Sequence, residues 1–197
     1  GFITPPRDYF PIVADITKRY DALYIADEVQ TGWGRTGGKW FGIEQWGVKP
    51  DVLVAAKSLG NGHPVGATLA RKDVADSFKG LTISTFGGNP VTMAAAQAVV
   101  AAIEQDKLMD NAATVGAHFR ARLDALQEKH AVVGEVRGMG LMQGIGLVKD
   151  KQSKEPAPQA VAAVMEGTKA RGLIIGRGGL YGNVLRISPA LNVTAAD

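Results

Sequence analysis

Cysteine is absent from the 197 residues. Disulfides, thiolate-held zinc, iron–sulfur clusters and thiol nucleophiles are therefore excluded within this chain. Long apolar runs are also missing. A membrane span needs roughly 18 such residues, and the longest stretch, around Val91 to Ile103, is broken by Gln97. The first residues do not read as a signal peptide, because Pro5, Pro6, Arg7 and Asp8 interrupt them. Charge of one sign is scarce: 22 Lys and Arg against 19 Asp and Glu leave +3, too small and scattered a surplus for nucleic-acid recognition. The expected compartment is the reducing cytoplasm, with neither membrane nor nucleic acid as partner.

Hydrophobic residues at 46% and charged residues at 21% match an ordinary folded protein and argue against disorder. Glycine is the excess, at 25 residues. It clusters in 31–38, 60–66, 87–88, 134–146 and 176–182, which marks loops that turn tightly or approach a ligand closely.

Periodicity predicts a helix ending near Tyr20, with Phe10, Val13, Ile16 and Tyr20 on one face. Two short buried strands follow, Ala22–Ala26 stopping at Asp27 and Val52–Ala56 stopping at Lys57. A third apolar stretch covers Val65–Ala70. Asn89 and Pro90 cap a helix running to about Glu104, and a second helix spans about Lys107–Lys129 with Leu108, Val115, Phe119, Leu123 and Leu126 as its apolar face. Beyond His130 the pattern predicts strands at Val132–Arg137 and Leu141–Val148, a polar loop at Lys149–Pro158, a helix near Gln159–Ala170, and strands at Leu173–Ile175 and Val184–Ile187. Strands alternating with helices imply an α/β fold with a mostly parallel sheet. The expected division is residues 1–130, part of a large α/β domain with the long helix as connector, and residues 131–197, a smaller and truncated α+β domain.

Asp27 and Lys57 each end an apolar strand. In open parallel sheets ligands bind at the carboxyl ends of strands. An acid and a lysine at such an edge suit an aldehyde cofactor: the lysine forms a Schiff base and the acid keeps a pyridine nitrogen protonated. A buried Asp–Lys ion pair accounts for the same pattern equally well.

Two further glycine-rich runs are weaker signals. Gly176–Gly182 superficially suggests a dinucleotide loop, but Asn183–Ile187 after it reads as a strand, so no helix N-terminus is offered to a pyrophosphate. Gly32–Lys39 has Trp40 where a phosphate-binding P-loop needs Ser or Thr. His63, His118 and His130 have no partner pattern, and neither they nor any other residues are assigned to a metal. Glu28 and Arg35 have no role that the pattern supports.

The run Ile25-Ala-Asp27-Glu-Val-Gln30-Thr-Gly-Trp-Gly-Arg35-Thr-Gly, followed by Pro50-Asp-Val-Leu-Val-Ala-Ala-Lys57-Ser-Leu-Gly60-Asn-Gly, resembles the class III aminotransferases, pyridoxal-phosphate enzymes of fold type I. Ser84-Thr85-Phe86-Gly87-Gly88-Asn89-Pro90 and Leu185-Arg186-Ile187-Ser188-Pro189-Ala190-Leu191 match that family in the same order. The resemblance implies that Lys57 holds pyridoxal 5′-phosphate as a Schiff base and then shuttles a proton, its ammonium destabilised by burial. It implies that Asp27 partners the pyridinium nitrogen, Val29 packs on the ring and Gln30 hydrogen-bonds its phenolic oxygen. Thr85 resembles the hydroxyl that reaches the phosphate of a neighbouring subunit, which makes the protein a homodimer or higher homo-oligomer. Arg186 resembles the arginine that grips the substrate carboxylate, a task its bidentate fork suits.

The implied activity is ping-pong transamination between an amino acid, alanine or an ω-amino acid, and a 2-oxo acid such as glyoxylate, pyruvate or 2-oxoglutarate. The run Arg171–Asn183 is most similar to the alanine–glyoxylate branch, with the 4-aminobutyrate branch close behind. Dialkylglycine decarboxylation, aminomutation and a non-catalytic subunit on the same fold are the alternatives. Members run to roughly twice this length, in keeping with two domains, so the chain is expected to be a C-terminal portion that is inactive alone.

Overall fold

A computed structural model describes residues 1–197. They form two compact units, Pro5–Met109 and a second made of Asp110–Asp197 with Gly1–Thr4.

The first unit opens with helix α1 (Tyr9–Arg19) and builds a sheet in the order β1 (Ile25–Asp27), β2 (Val52–Ala55), β3 (Ala67–Ala70). β1 pairs parallel with β2, with Ile25 opposite Val52 and Asp27 opposite Val54. β2 pairs antiparallel with β3. Connection length explains the difference: parallel neighbours need a crossover of about a dozen residues or more, whereas antiparallel ones accept a short return. Here residues 28–51 make the long crossover, and a 3₁₀ turn (Lys57–Gly60) with Asn61 and Gly62 at positive φ makes the return. Helix α2 (Lys72–Ser77) follows, then α3 (Pro90–Gln105). Asn89 caps α3 as its sequence predicts: its side chain accepts a hydrogen bond from Thr92 N at 3.1 Å, and Pro90 takes the first turn, where its missing N–H costs nothing.

In the second unit, α4 (Leu108–Lys129) leads into a four-stranded antiparallel sheet ordered β4 (Val133–Met139), β5 (Met142–Leu147), β7 (Val184–Ile187), β6 (Gly176–Gly178), with α5 (Pro158–Lys169) between β5 and β6. Its core joins Leu123 of α4, Val133 and Val136 of β4, Ile145 and Leu147 of β5, Val161 of α5 and Leu185 of β7. Each is nearly or fully buried, which stabilises the unit by about 1.5–3 kcal/mol per large aliphatic side chain relative to exposure.

The compact units divide between Met109 and Asp110, near the start of α4, which seats Leu123 in the core of the second unit. Several expectations about single elements are corrected. Along α4 the buried positions are Ala112, Gly116 and Leu123, while Leu126 is exposed. Gly116 is a contact point: a Cβ there would lie 2.5 Å from the Gly140 carbonyl carbon, so only glycine lets the helix approach the β4–β5 turn. The strand expected at Leu173–Ile175 forms instead at Gly176–Gly178. The strand expected at Ala22–Ala26 begins only at Ile25 and is buried at Ala26 alone, with Ile25 60% exposed. The apolar face of α1 has Ile16 and Tyr20 exposed; Phe10 packs edge-on against Trp46 with centroids 4.9 Å apart.

Candidate active site

Asp27 closes β1, and Lys57 follows β2 after a single residue, Ala56. Because β1 and β2 run parallel, both residues lie at the same carboxyl edge of the sheet. This is where an open α/β sheet offers a ligand its backbone and side chains. Both residues are exposed, and they are not ion-paired with each other. The buried Asp–Lys pair considered from the sequence is therefore not formed, and the expected burial of Lys57 is not found within this chain. Asp27 Oδ1 accepts a hydrogen bond from Val29 N at 3.0 Å. Lys57 has φ 48°, left-handed backbone that a non-glycine residue adopts at a cost of about 1–3 kcal/mol and that concentrates at functional sites.

The loop that follows β1 is folded rather than slack. Gly34 N donates to Trp40 O at 3.0 Å, and Gln45 Nε2 donates to Gly37 O at 2.7 Å. Trp33 meets Trp40 and Phe41 in edge-on contacts at 6.2 and 5.4 Å. Burial lowers the Arg35 guanidinium from its ordinary pKa. No helix begins directly at the glycine run, which agrees with rejecting a P-loop there.

Glu28, for which the sequence suggests no role, is only 3% exposed. Its Oε2 accepts from Gly42 N at 2.7 Å and from Thr31 Oγ1 at 2.5 Å, and its Oε1 accepts from Ile43 N at 2.6 Å. The available signal was alternation: if Asp27 and Val29 face one way along an extended chain, Glu28 faces the other, into the protein.

Of the remaining candidates, Val29 is half-buried and Gln30 exposed in this same loop, beside Asp27. Thr85 lies in an exposed turn, residues 85–88, ahead of α3. Arg186 belongs to the other unit. It is half-buried on β7, its guanidinium carbon 4.5 Å from the Phe2 ring centroid. A Cβ on Gly178 would lie 2.4 Å from Arg186 Cδ, so glycine on β6 makes the room that the arginine side chain occupies. The strand β7 after this glycine run also removes any dinucleotide-loop reading.

The family model "Aminotransferase class-III" matches residues 1–197. The chain is 42% identical over 198 residues to alanine–glyoxylate aminotransferase 2 homolog 2, mitochondrial, of Arabidopsis thaliana, covering 100% of this chain and 41% of that protein. It is 43% identical over 194 residues to a leucine/methionine racemase of Thermococcus litoralis, covering 98% and 43%. Among solved structures it superposes on an amine transaminase from an uncultivated Pseudomonas species, in its pyridoxal-phosphate-bound form, with TM-score 0.90 and 38% identity over 98% of this chain and 46% of that one. The chain thus spans less than half the length of these relatives. A match along its whole length, with an α/β fold shared with solved transaminases, places this chain in the class-III aminotransferase family.

Proposed function

We propose that the protein carrying this chain is a pyridoxal-phosphate-dependent aminotransferase that exchanges an amino group between an amino acid and a 2-oxo acid by a ping-pong mechanism. The observation that carries this reading is one amine and one carboxylate, Lys57 and Asp27, at the carboxyl ends of two neighbouring parallel strands. The donor set fits pyridoxal 5′-phosphate: an exposed amine suits its aldehyde, and an exposed carboxylate suits its pyridine nitrogen. When bound, the cofactor supplies an aldehyde carbon and an electron-withdrawing ring.

Lys57 Nζ would hold the cofactor covalently and would move a proton to and from the substrate Cα. Asp27 would keep the ring nitrogen protonated through a charge-assisted hydrogen bond. Val29 would pack on the ring, Gln30 would hydrogen-bond its phenolic oxygen, and Thr85 would reach the phosphate held by a neighbouring subunit, which would make the active protein a homodimer or higher homo-oligomer. Arg186 binds the substrate carboxylate bidentately.

The substrates proposed are alanine or an ω-amino acid as donor, with glyoxylate, pyruvate or 2-oxoglutarate as acceptor. Similarity to the Arabidopsis protein supports the alanine–glyoxylate pair, and 4-aminobutyrate is the runner-up donor. The proposed compartment is the cytoplasm, checked by fractionation; no helix here is long and apolar enough to cross a membrane.

Similarity to the Thermococcus racemase supports a second reading, inversion of an amino acid at Cα by the same pair of residues. The deciding experiment incubates the intact protein with each amino donor, with and without a 2-oxo acid. Appearance of the cognate amino acid and oxo acid supports transamination. Loss of optical activity without an acceptor, and without a new oxo acid, overturns it in favour of racemisation.

A further inference from the structure

We infer that Glu28 is a positioning residue for the cofactor contacts of Asp27 and Gln30, acting through the loop that leaves β1. The inference rests on the cofactor reading above.

A buried carboxylate is costly unless donors meet its oxygens. Here three do so, from Thr31, Gly42 and Ile43. The Glu28 backbone is held as firmly: its N–H donates to Val54 O of β2 at 2.8 Å, and its carbonyl accepts from Gly32 N at 3.0 Å. Glu28 therefore ties the end of β1, the turn through Gly32 and the distant Gly42–Ile43 backbone into one rigid knot. Asp27 stands immediately before this knot and Gln30 inside it. Two glycines are fitted to it. A Cβ on Gly42 would lie 2.7 Å from Thr31 Cβ, and one on Gly32 would lie 3.0 Å from Glu28 O.

The acceptor chemistry requires glutamate rather than its amide. Oε2 receives two donors and Oε1 receives one, so a glutamine in either orientation turns an NH₂ group toward an N–H. Asp27 is exposed, so burial of its side chain does not fix where it points. The loop backbone sets the direction of the Cα–Cβ bonds of Asp27 and Gln30, and Glu28 holds that backbone.

The test compares the intact wild-type protein with Glu28→Gln, Thr31→Val and Thr31→Ser. Cofactor affinity is measured by titrating apoprotein with pyridoxal phosphate at its visible band, followed by the pH midpoint of that band and then kcat and KM. Glu28→Gln is expected to bind the cofactor about tenfold more weakly and to shift the pH midpoint. Its kcat should fall about ten- to a hundredfold, with KM for the amino donor changed less than about twofold. Thr31→Val should move the same readouts in the same direction by less, and Thr31→Ser should restore them. Wild-type affinity, midpoint and kcat in Glu28→Gln overturn the inference, as does a loss confined to thermal stability of the apoprotein. If Glu28→Gln does not fold, an unshifted midpoint in Thr31→Val overturns it. A wild-type protein that binds no cofactor overturns the aminotransferase reading together with this one, whereas a normal wild type with unaffected variants overturns this one alone.

Discussion

Asp27 is the register partner of Val54 across the parallel pair β1–β2, and Lys57 stands three residues beyond Val54 on the chain. Carboxylate and amine thus leave the sheet by one edge without neutralising each other. Each remains available to a ligand, and the amine is presented on strained left-handed backbone.

Lys57→Ala in the intact protein should give no yellow, borohydride-fixed adduct with pyridoxal phosphate, since no other amine takes its place after β2. Transamination should fall by at least about a hundredfold, the lower range for loss of a positioned acid–base group. Circular dichroism should stay unchanged, because the side chain is exposed. Turnover at the wild-type rate refutes the role.

Asp27 and Arg186 should separate kinetically. Asp27→Asn is expected to retain cofactor but lower kcat strongly, because a neutral pyridine is a poor electron sink. Arg186→Lys should mainly raise KM for the carboxylate substrate by losing a bidentate contact. Steady-state kinetics with alanine and glyoxylate checks both, and the reverse pattern refutes the assignments.

Two glycines offer a contrast in stability. Gly116→Ala places a Cβ 2.5 Å from backbone at Gly140 and should destabilise the protein by about 1–3 kcal/mol through overpacking. Gly47→Ala meets nothing within 4 Å but keeps φ 67°, so its cost is backbone strain alone, about 1 kcal/mol. Denaturant titration of both variants measures the difference, and equal midpoints contradict it.

Residues 1–197 expressed alone should be poorly soluble, bind pyridoxal phosphate weakly and lack transaminase activity. Ile25, on the parallel strand β1, is 60% exposed within this chain. Parallel strands are normally stable with both faces buried. Sedimentation, visible absorbance and a turnover assay on the isolated segment provide the check. A soluble, yellow, active product refutes the expectation.

Features that depend on near neighbours were legible in the amino-acid order. The Asn89–Pro90 cap, the span of α3 and the strands around Val136, Ile145 and Leu185 follow from local capping and apolar spacing. So does the placing of Asp27 and Lys57 at strand ends, because a charged residue that closes a short apolar run marks an edge. What only the tertiary structure decided depends on residues far apart in the chain. Glu28 acquires its partners from Gly42 and Ile43, fourteen and fifteen residues on, and no local pattern announces backbone N–H groups arriving from there. β6 forms at Gly176–Gly178, past the more strand-like Leu173–Ile175, through its antiparallel pairing with β7, where Gly178 leaves room for the Arg186 side chain. Helix α4 joins the second unit because Leu123 is buried among β4, β5 and β7, a packing choice that its own amphipathic pattern left open.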